Sequence, residues 1–139
     1  MKLTENFALN EFIYSDTANW YGINNIPNQE TISNLRLLCK NVMQPVRNYI
    51  KSPVIITSGY RCPLLNKKVG GVPTSQHQFG MACDFITPNK DLMISFNYIK
   101  DYLEFDQLLF EKNKSGNIWI HVSHKPKANR RIYNSNYRV

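Results

Sequence analysis

The stretch Ser75-Gln76-His77-Gln78-Phe79-Gly80-Met81-Ala82-Cys83-Asp84 constrains the fold more than any other. It sets an imidazole and a carboxylate seven positions apart, with a glycine between them. Were it one helix, His77 and Asp84 would stand roughly 10 Å apart along the axis, and Gly80 weakens a helix in any case. The alternative is a loop that carries His77, a turn at Gly80 and a strand, beginning near Met81 and ending at Ile86, that returns Asp84. Side chains alternate along a strand. Asp84 and Ala82 then face a site while Cys83 and Phe85 face a core, and the small Ala82 leaves space beside the site for a substrate.

A second histidine lies downstream in Ile118-Trp119-Ile120-His121-Val122-Ser123. By parity His121 shares a face with Trp119 and Ser123, opposite Ile120 and Val122. If this strand pairs near the Asp84 strand, two imidazoles and one carboxylate converge. Zinc takes such donors at ~2 Å, and three protein ligands leave a fourth position for water, the composition of a catalytic rather than a structural site. Spacing alone leaves two other readings open, a hydrogen-bonded core histidine for His121 and a loop cap for His77.

The other segments read as scaffold around these pieces. Phe7, Leu9, Phe12 and Ile13 suggest a short helical face, and Ser15-Asp16-Thr17 offers a helix cap. Tyr21 to Pro27 is turn chemistry. A long amphipathic helix is expected over 28–51, capped by Asn28. Its stripe is Ile32, Leu35, Cys39, Val42, Val46, Tyr49 and Ile50. Pro45 should kink it or end it early. The β-branched run 54–57 predicts a buried strand, with Arg61 just past its end. Residues 62–69 read as a short helix with proline in its first turn, followed by a loop over 70–74. Thr87-Pro88-Asn89 breaks the Asp84 strand. A second amphipathic helix is expected over 90–103, with Leu92, Met93, Phe96, Ile99 and Leu103 on one face. The apolar runs 105–111 and 118–123, joined by a polar, glycine-containing loop over 112–117, predict a hairpin. The basic tail over 125–139 is expected to be loosely held, with Ile132 and Tyr133 as possible anchors.

The chain has 139 residues, which suits one domain, 1–139, with a core that needs no staples. The expected fold class is α+β: a small antiparallel sheet bearing the site, packed against several helices. Three cysteines at irregular spacing read as reduced thiols rather than a disulfide framework. A net charge of +7 favours an anionic partner. The basic residues are scattered, and the eight tyrosines form no basic-aromatic cluster, so nucleic acid is excluded as the partner. No apolar run approaches a membrane span, and the first residues lack a signal peptide. The expected protein is a monomer made in the cytoplasm, reaching any outside target by another export route or by cell breakage.

The pattern Ser75-x-His77-x-x-Gly80-x-Ala82-x-Asp84, with Ser58-Gly59-Tyr60-Arg61 before it and Trp119-x-His121-Val122-Ser123 after it, resembles the M15 zinc peptidases. The nearest branch is the D-alanyl-D-alanine carboxypeptidase-like group of phage and bacterial wall enzymes. Ser15-Asp16-Thr17-Ala18, Tyr21-Gly22-Ile23, Asn34-Leu35-Arg36, Val42-Met43-Gln44-Pro45 and Phe105-Asp106-Gln107-Leu108 extend the resemblance over nearly all of 7–123. It implies that His77, Asp84 and His121 hold Zn2+, that Arg61 holds or polarises the substrate, and that Ser75 touches the substrate or braces the loop. The implied substrate is a peptidoglycan stem peptide, cut as a D,D-carboxypeptidase or an L-Ala-D-Glu endopeptidase, in wall lysis or remodelling. One departure stands out. Many members carry the general base three residues before the last histidine, where this chain has Ile118. Glu111, at the end of the first hairpin strand, is the candidate in its place, with Asp106 as fallback and His124 as a second proton donor. The alternative is a non-catalytic, zinc-containing wall-binding module that has lost the base.

Overall fold

The computed structural model describes residues 1–88 and 91–138. The expected strand break at Asn89 and helix start at Lys90 lie outside the described residues. The chain opens with a small hairpin, β1 (Lys2–Thr4) and β2 (Phe7–Ala8), and two short helices, α1 (Leu9–Ile13) and α2 (Asp16–Tyr21). Ser15 caps α2 as its sequence suggests: its Oγ accepts the Ala18 N–H at 3.1 Å.

The long helix forms in two pieces, α3 (Gln29–Leu38) and α4 (Gln44–Ile50), joined by a π-helical turn over Cys39–Met43. Asn28 Oδ1 caps α3 through the Thr31 N–H at 2.9 Å. The wide turn ends two residues before Pro45. Proline lacks an N–H and its ring crowds the carbonyl four residues earlier, and a π turn relieves both problems without breaking the helix. The stripe is buried as expected at Leu35, Cys39, Val42 and Val46.

Then follow β3 (Ile55–Ser58), α5 (Pro63–Lys68), a 3-10 turn over Gln76–Phe79 and β4 (Ala82–Ile86). After these come α6 (Asp91–Tyr102), β5 (Gln107–Lys112), β6 (Ile118–Ser123) and β7 (Ile132–Arg138). One five-stranded sheet has the order β3-β4-β6-β5-β7. The first four strands pair antiparallel and β7 joins β5 in parallel. The fold is thus α+β, with helices against a sheet. The strand parity read from the sequence separates its two faces. Cys83, Phe85, Leu108, Ile120 and Val122 are fully buried in one core with the α3–α4 stripe and with Leu92, Phe96 and Ile99 of α6. Each such side chain contributes about 1.5–3 kcal/mol through burial. The opposite face is left for the site.

Five expectations need correction. The run 54–57 is not a buried strand: β3 is an edge, and Ile55 is 48% exposed. β-Branched residues fit any pleated surface and do not distinguish an edge from a centre. Tyr49 leaves the core stripe and stacks on Tyr98 of α6, centroids 4.0 Å apart, while Met93 is exposed. His77 sits on the 3-10 turn rather than an open loop. The tail is not loose. Arg131 donates to the Leu103 and Lys100 carbonyls, and β7 pairs along β5 from Gln107↔Ile132 to Lys112↔Arg138. Backbone groups make that ladder, so a polar composition did not reveal it.

Candidate metal centre

The register brings the three predicted donors together. β4 and β6 pair with Asp84 directly opposite His121. His77 enters from the 3-10 turn between Ser75 and Gly80. Gly80 closes that turn at φ 71°, in the left-handed region, and a Cβ there would come within 2.6 Å of the Thr31 carbonyl oxygen, so only glycine fits. Asn34 Nδ2 holds the turn from α3 by donating to the Phe79 carbonyl at 2.9 Å. Asn25 holds the neighbouring segment: it donates to the Tyr60 carbonyl and accepts the Cys62 N–H, at 2.9 and 2.8 Å. Arg61 lies between those two anchors.

His77 is almost fully buried, and its Nδ1–H donates to the Gly59 carbonyl at 2.7 Å. A carbonyl only accepts, so this bond fixes the tautomer and turns the Nε2 lone pair inward. Gly59 itself lies against the backbone of α1, where a Cβ would collide with the Phe12 carbonyl oxygen, so glycine is needed to place this acceptor. His77 Nε2 lies 3.4 Å from Asp84 Oδ1, and His121 Nδ1 lies 3.0 Å from the same oxygen. Donors around one tetrahedral ion at ~2 Å stand roughly 3.3 Å apart. One atom from each residue falls in a group within 4.8 Å. The inward lone pair of His77 faces a carboxylate oxygen, two acceptors that favour a cation between them. The residues therefore fit Zn2+.

Electrostatics agree. Burial pushes the Asp84 carboxyl up, but the interactions led by its bond with His121 outweigh that and hold Asp84 well below the usual carboxylate range. Burial lowers the His77 imidazole against the opposing pull of Asp84, which keeps the ring neutral. Both ligands are in the protonation states that bind metal.

The trio lines a cleft of about 950 Å³ that Arg61, Ser75 and Glu111 also line. Ser75 Oγ accepts the His77 N–H at 3.2 Å and an Arg61 Nη2 hydrogen at 3.3 Å, so it braces both the ligand turn and the guanidinium. Burial lowers the Arg61 guanidinium, while Asp84 and Glu111 pull it back up. Glu111 is opposite Trp119 in the β5–β6 ladder, and Leu109 is opposite His121. Glu111 thus stands on the ligand face, two residues along from the metal position. It is largely buried, and the Trp119 indole donates to it. Burial and then the charge of Asp84 raise its carboxyl, against the pull of His121, Trp119 and Arg61.

Ile118 shares parity with Ile120 and Val122, so a carboxylate there would point to the sheet's other face. Asp106, the fallback, has both oxygens engaged. Oδ1 accepts the Arg130 N–H and Nε–H, and Oδ2 accepts from Arg130 Nη2 and Gln76 Nε2, all at 2.7–3.0 Å. His124 is buried and is not part of the cleft wall. Sequence reasoning missed Gln76, Gln107, Lys125 and Arg130, which do line it. The Arg130-Arg131 pair was the one visible signal, and it reads equally as a solvated charge.

A His-Asp-His donor set on a cleft floor, with a guanidinium and a carboxylate beside it, defines a zinc metallopeptidase centre. The Peptidase M15 family model matches residues 5–123, and the chain belongs to that family. No curated protein matches the chain. Among the described residues no helix is long and apolar enough to cross a membrane.

Proposed function

We propose that the chain hydrolyses peptide bonds in peptidoglycan stem peptides, as a D,D-carboxypeptidase or an L-Ala-D-Glu endopeptidase, in wall lysis or remodelling. The observation that carries this reading is that Glu111 and Arg61 share one cleft with His77, Asp84 and His121. Zinc held by those three would polarise the substrate carbonyl and acidify water. Glu111 takes the proton of the attacking water and later passes it to the leaving amine, a role that its raised carboxyl suits. Arg61, held by Ser75, offers its guanidinium to the developing oxyanion or to a substrate carboxylate. The +7 charge suits an anionic wall, and no separate wall-binding segment is needed for that attraction. The chain acts as a single-domain monomer, on the wall after release from the cytoplasm or as part of a virion.

The test is release of stem-peptide fragments from purified peptidoglycan, with and without chelator, by the native chain and by Glu111→Ala. We expect zinc-dependent release by the native chain and a loss of about 10²–10⁴-fold in Glu111→Ala, with zinc retained. Bound zinc without any cleavage by the native chain would support the wall-binding module instead. Full activity in Glu111→Ala would remove Glu111 as base and leave the peptidase reading standing.

A further inference from the structure

Residues 124–138 lie beyond the stretch matched by the family, yet two of them, Lys125 and Arg130, line the cleft. The Lys125–Arg130 strap is a made structure. The Lys125 N–H donates to Asn129 Oδ1 at 2.7 Å, and Asn129 Nδ2 donates back to the Lys125 carbonyl at 3.2 Å. Arg130 clasps Asp106 through Nε at 2.9 Å and Nη2 at 2.7 Å, and Lys125 Nζ lies 3.7 Å from the same carboxylate. Asp106 is fully buried beneath the strap and does not line the cleft, whereas Lys125 and Arg130 do. Their side chains keep 35% and 49% exposure. The cleft therefore meets two cations, with their one counter-charge behind them. Lys125 retains donors, since its only ion-pair partner among the described residues is the distant Asp106 oxygen.

Position gives this pair a role. Along the cleft face of β5 the order is Gln107, Leu109, Glu111, and Leu109 is opposite the ligand His121. Gln107 and Glu111 each lie roughly 7 Å from Leu109, in opposite directions. Glu111 and Trp119 mark one side of the metal position. Gln107, with Lys125 and Arg130, marks the other. An extended peptide advances about 3.3–3.6 Å per residue, so a group one or two residues from the scissile bond reaches the strap.

We propose that Lys125 and Arg130 form an anion subsite for a substrate carboxylate one or two residues from the scissile bond. This rests on the peptidase reading for the direction of the substrate, not for the existence of the subsite. Arg130 gives its Nε–H and one Nη2 hydrogen to Asp106, which fixes the guanidinium plane, and the outer edge with the Nη1 hydrogens is left for a carboxylate. Two carboxylates of a stem peptide have this chemistry, the terminal one and that of the internal D-glutamate.

The zinc-loaded full chain is titrated calorimetrically with three stem pentapeptides: unmodified, amidated at the terminus, and amidated at the glutamate. Where a peptide is turned over, kcat/KM replaces Kd. Amidation of one carboxylate should weaken the native chain's Kd or kcat/KM about tenfold, and the arm that responds identifies the source. Lys125→Met should remove most of that discrimination and Lys125→Arg should restore it. Neither change touches the bonds between the Lys125 backbone and the Asn129 side chain, and thermal melting checks the fold. The subsite is overturned if the native chain treats all three peptides alike, binds none of them, or discriminates as strongly in Lys125→Met. Discrimination in binding without hydrolysis of any peptide sinks the peptidase reading and leaves the subsite intact.

Discussion

Two aspartates, Asp106 fully buried and Asp84 partly buried, have opposite fates. Asp106 is fully buried, and burial alone would push its carboxyl up, but Arg130 and Gln76 hold it at about 2. Its charge is matched in place by Arg130 and Lys125. Asp84 is also held low, but chiefly by the His121 imidazole at 3.0 Å, while the neighbouring His77 has its lone pair turned toward the carboxylate by the Gly59 carbonyl. A guanidinium completes a buried carboxylate; a neutral imidazole leaves it a ligand. Burial and a depressed pKa therefore do not by themselves mark a functional carboxylate. The partner's chemistry does.

The largest expected effect breaks the Asp84 side. Asp84→Ala should lose stoichiometric zinc, measured by metal analysis, and hydrolysis should fall by ~10³-fold or more. Zinc still bound at one equivalent in this variant would remove Asp84 from the ligand set. Asp106→Ala should act the other way, on stability more than metal. It leaves the half-exposed Arg130 without its acceptor and opens a buried gap, and should lower the melting point by about 5 °C. A melting point equal to the native one would show that the clamp is incidental.

The smallest effect is a pH window. Asp106 has a folded value of about 2, below the ~3.9 of an unfolded aspartate. A depressed carboxyl contributes stability that is fully present above its unfolded value and is lost as pH falls through the folded one. Urea midpoints should therefore drop between about pH 4 and pH 2 in the native chain. They should drop less in Arg130→Gln, where the depression is relieved. Parallel slopes for the two proteins would assign the acid loss to other groups.

Much of this was legible in the residues. Ser15 and Asn28 are caps because their short oxygens reach the free N–H groups of a helix start, a local rule. Gly80 marks a turn because it alone tolerates the left-handed backbone found there. Parity placed Cys83 in the core and Asp84 on the other face before any pairing was known. Pro45 announced a distortion, though not that a π turn would absorb it. What stayed hidden depended on distant neighbours. The edge position of β3, the departure of Tyr49 toward Tyr98 and the pairing of β7 each depend on which segment lies alongside.

By itself, then, the sequence determined the donor types, the faces they occupy and the turn that releases His77, because those follow from side-chain chemistry and from a backbone period of two. Only the tertiary structure decided that Asp84 is opposite His121, that Glu111 is opposite Trp119 and that Arg130 closes on Asp106. Register and ion pairing sum contacts between residues far apart in the chain, and no local pattern carries that sum.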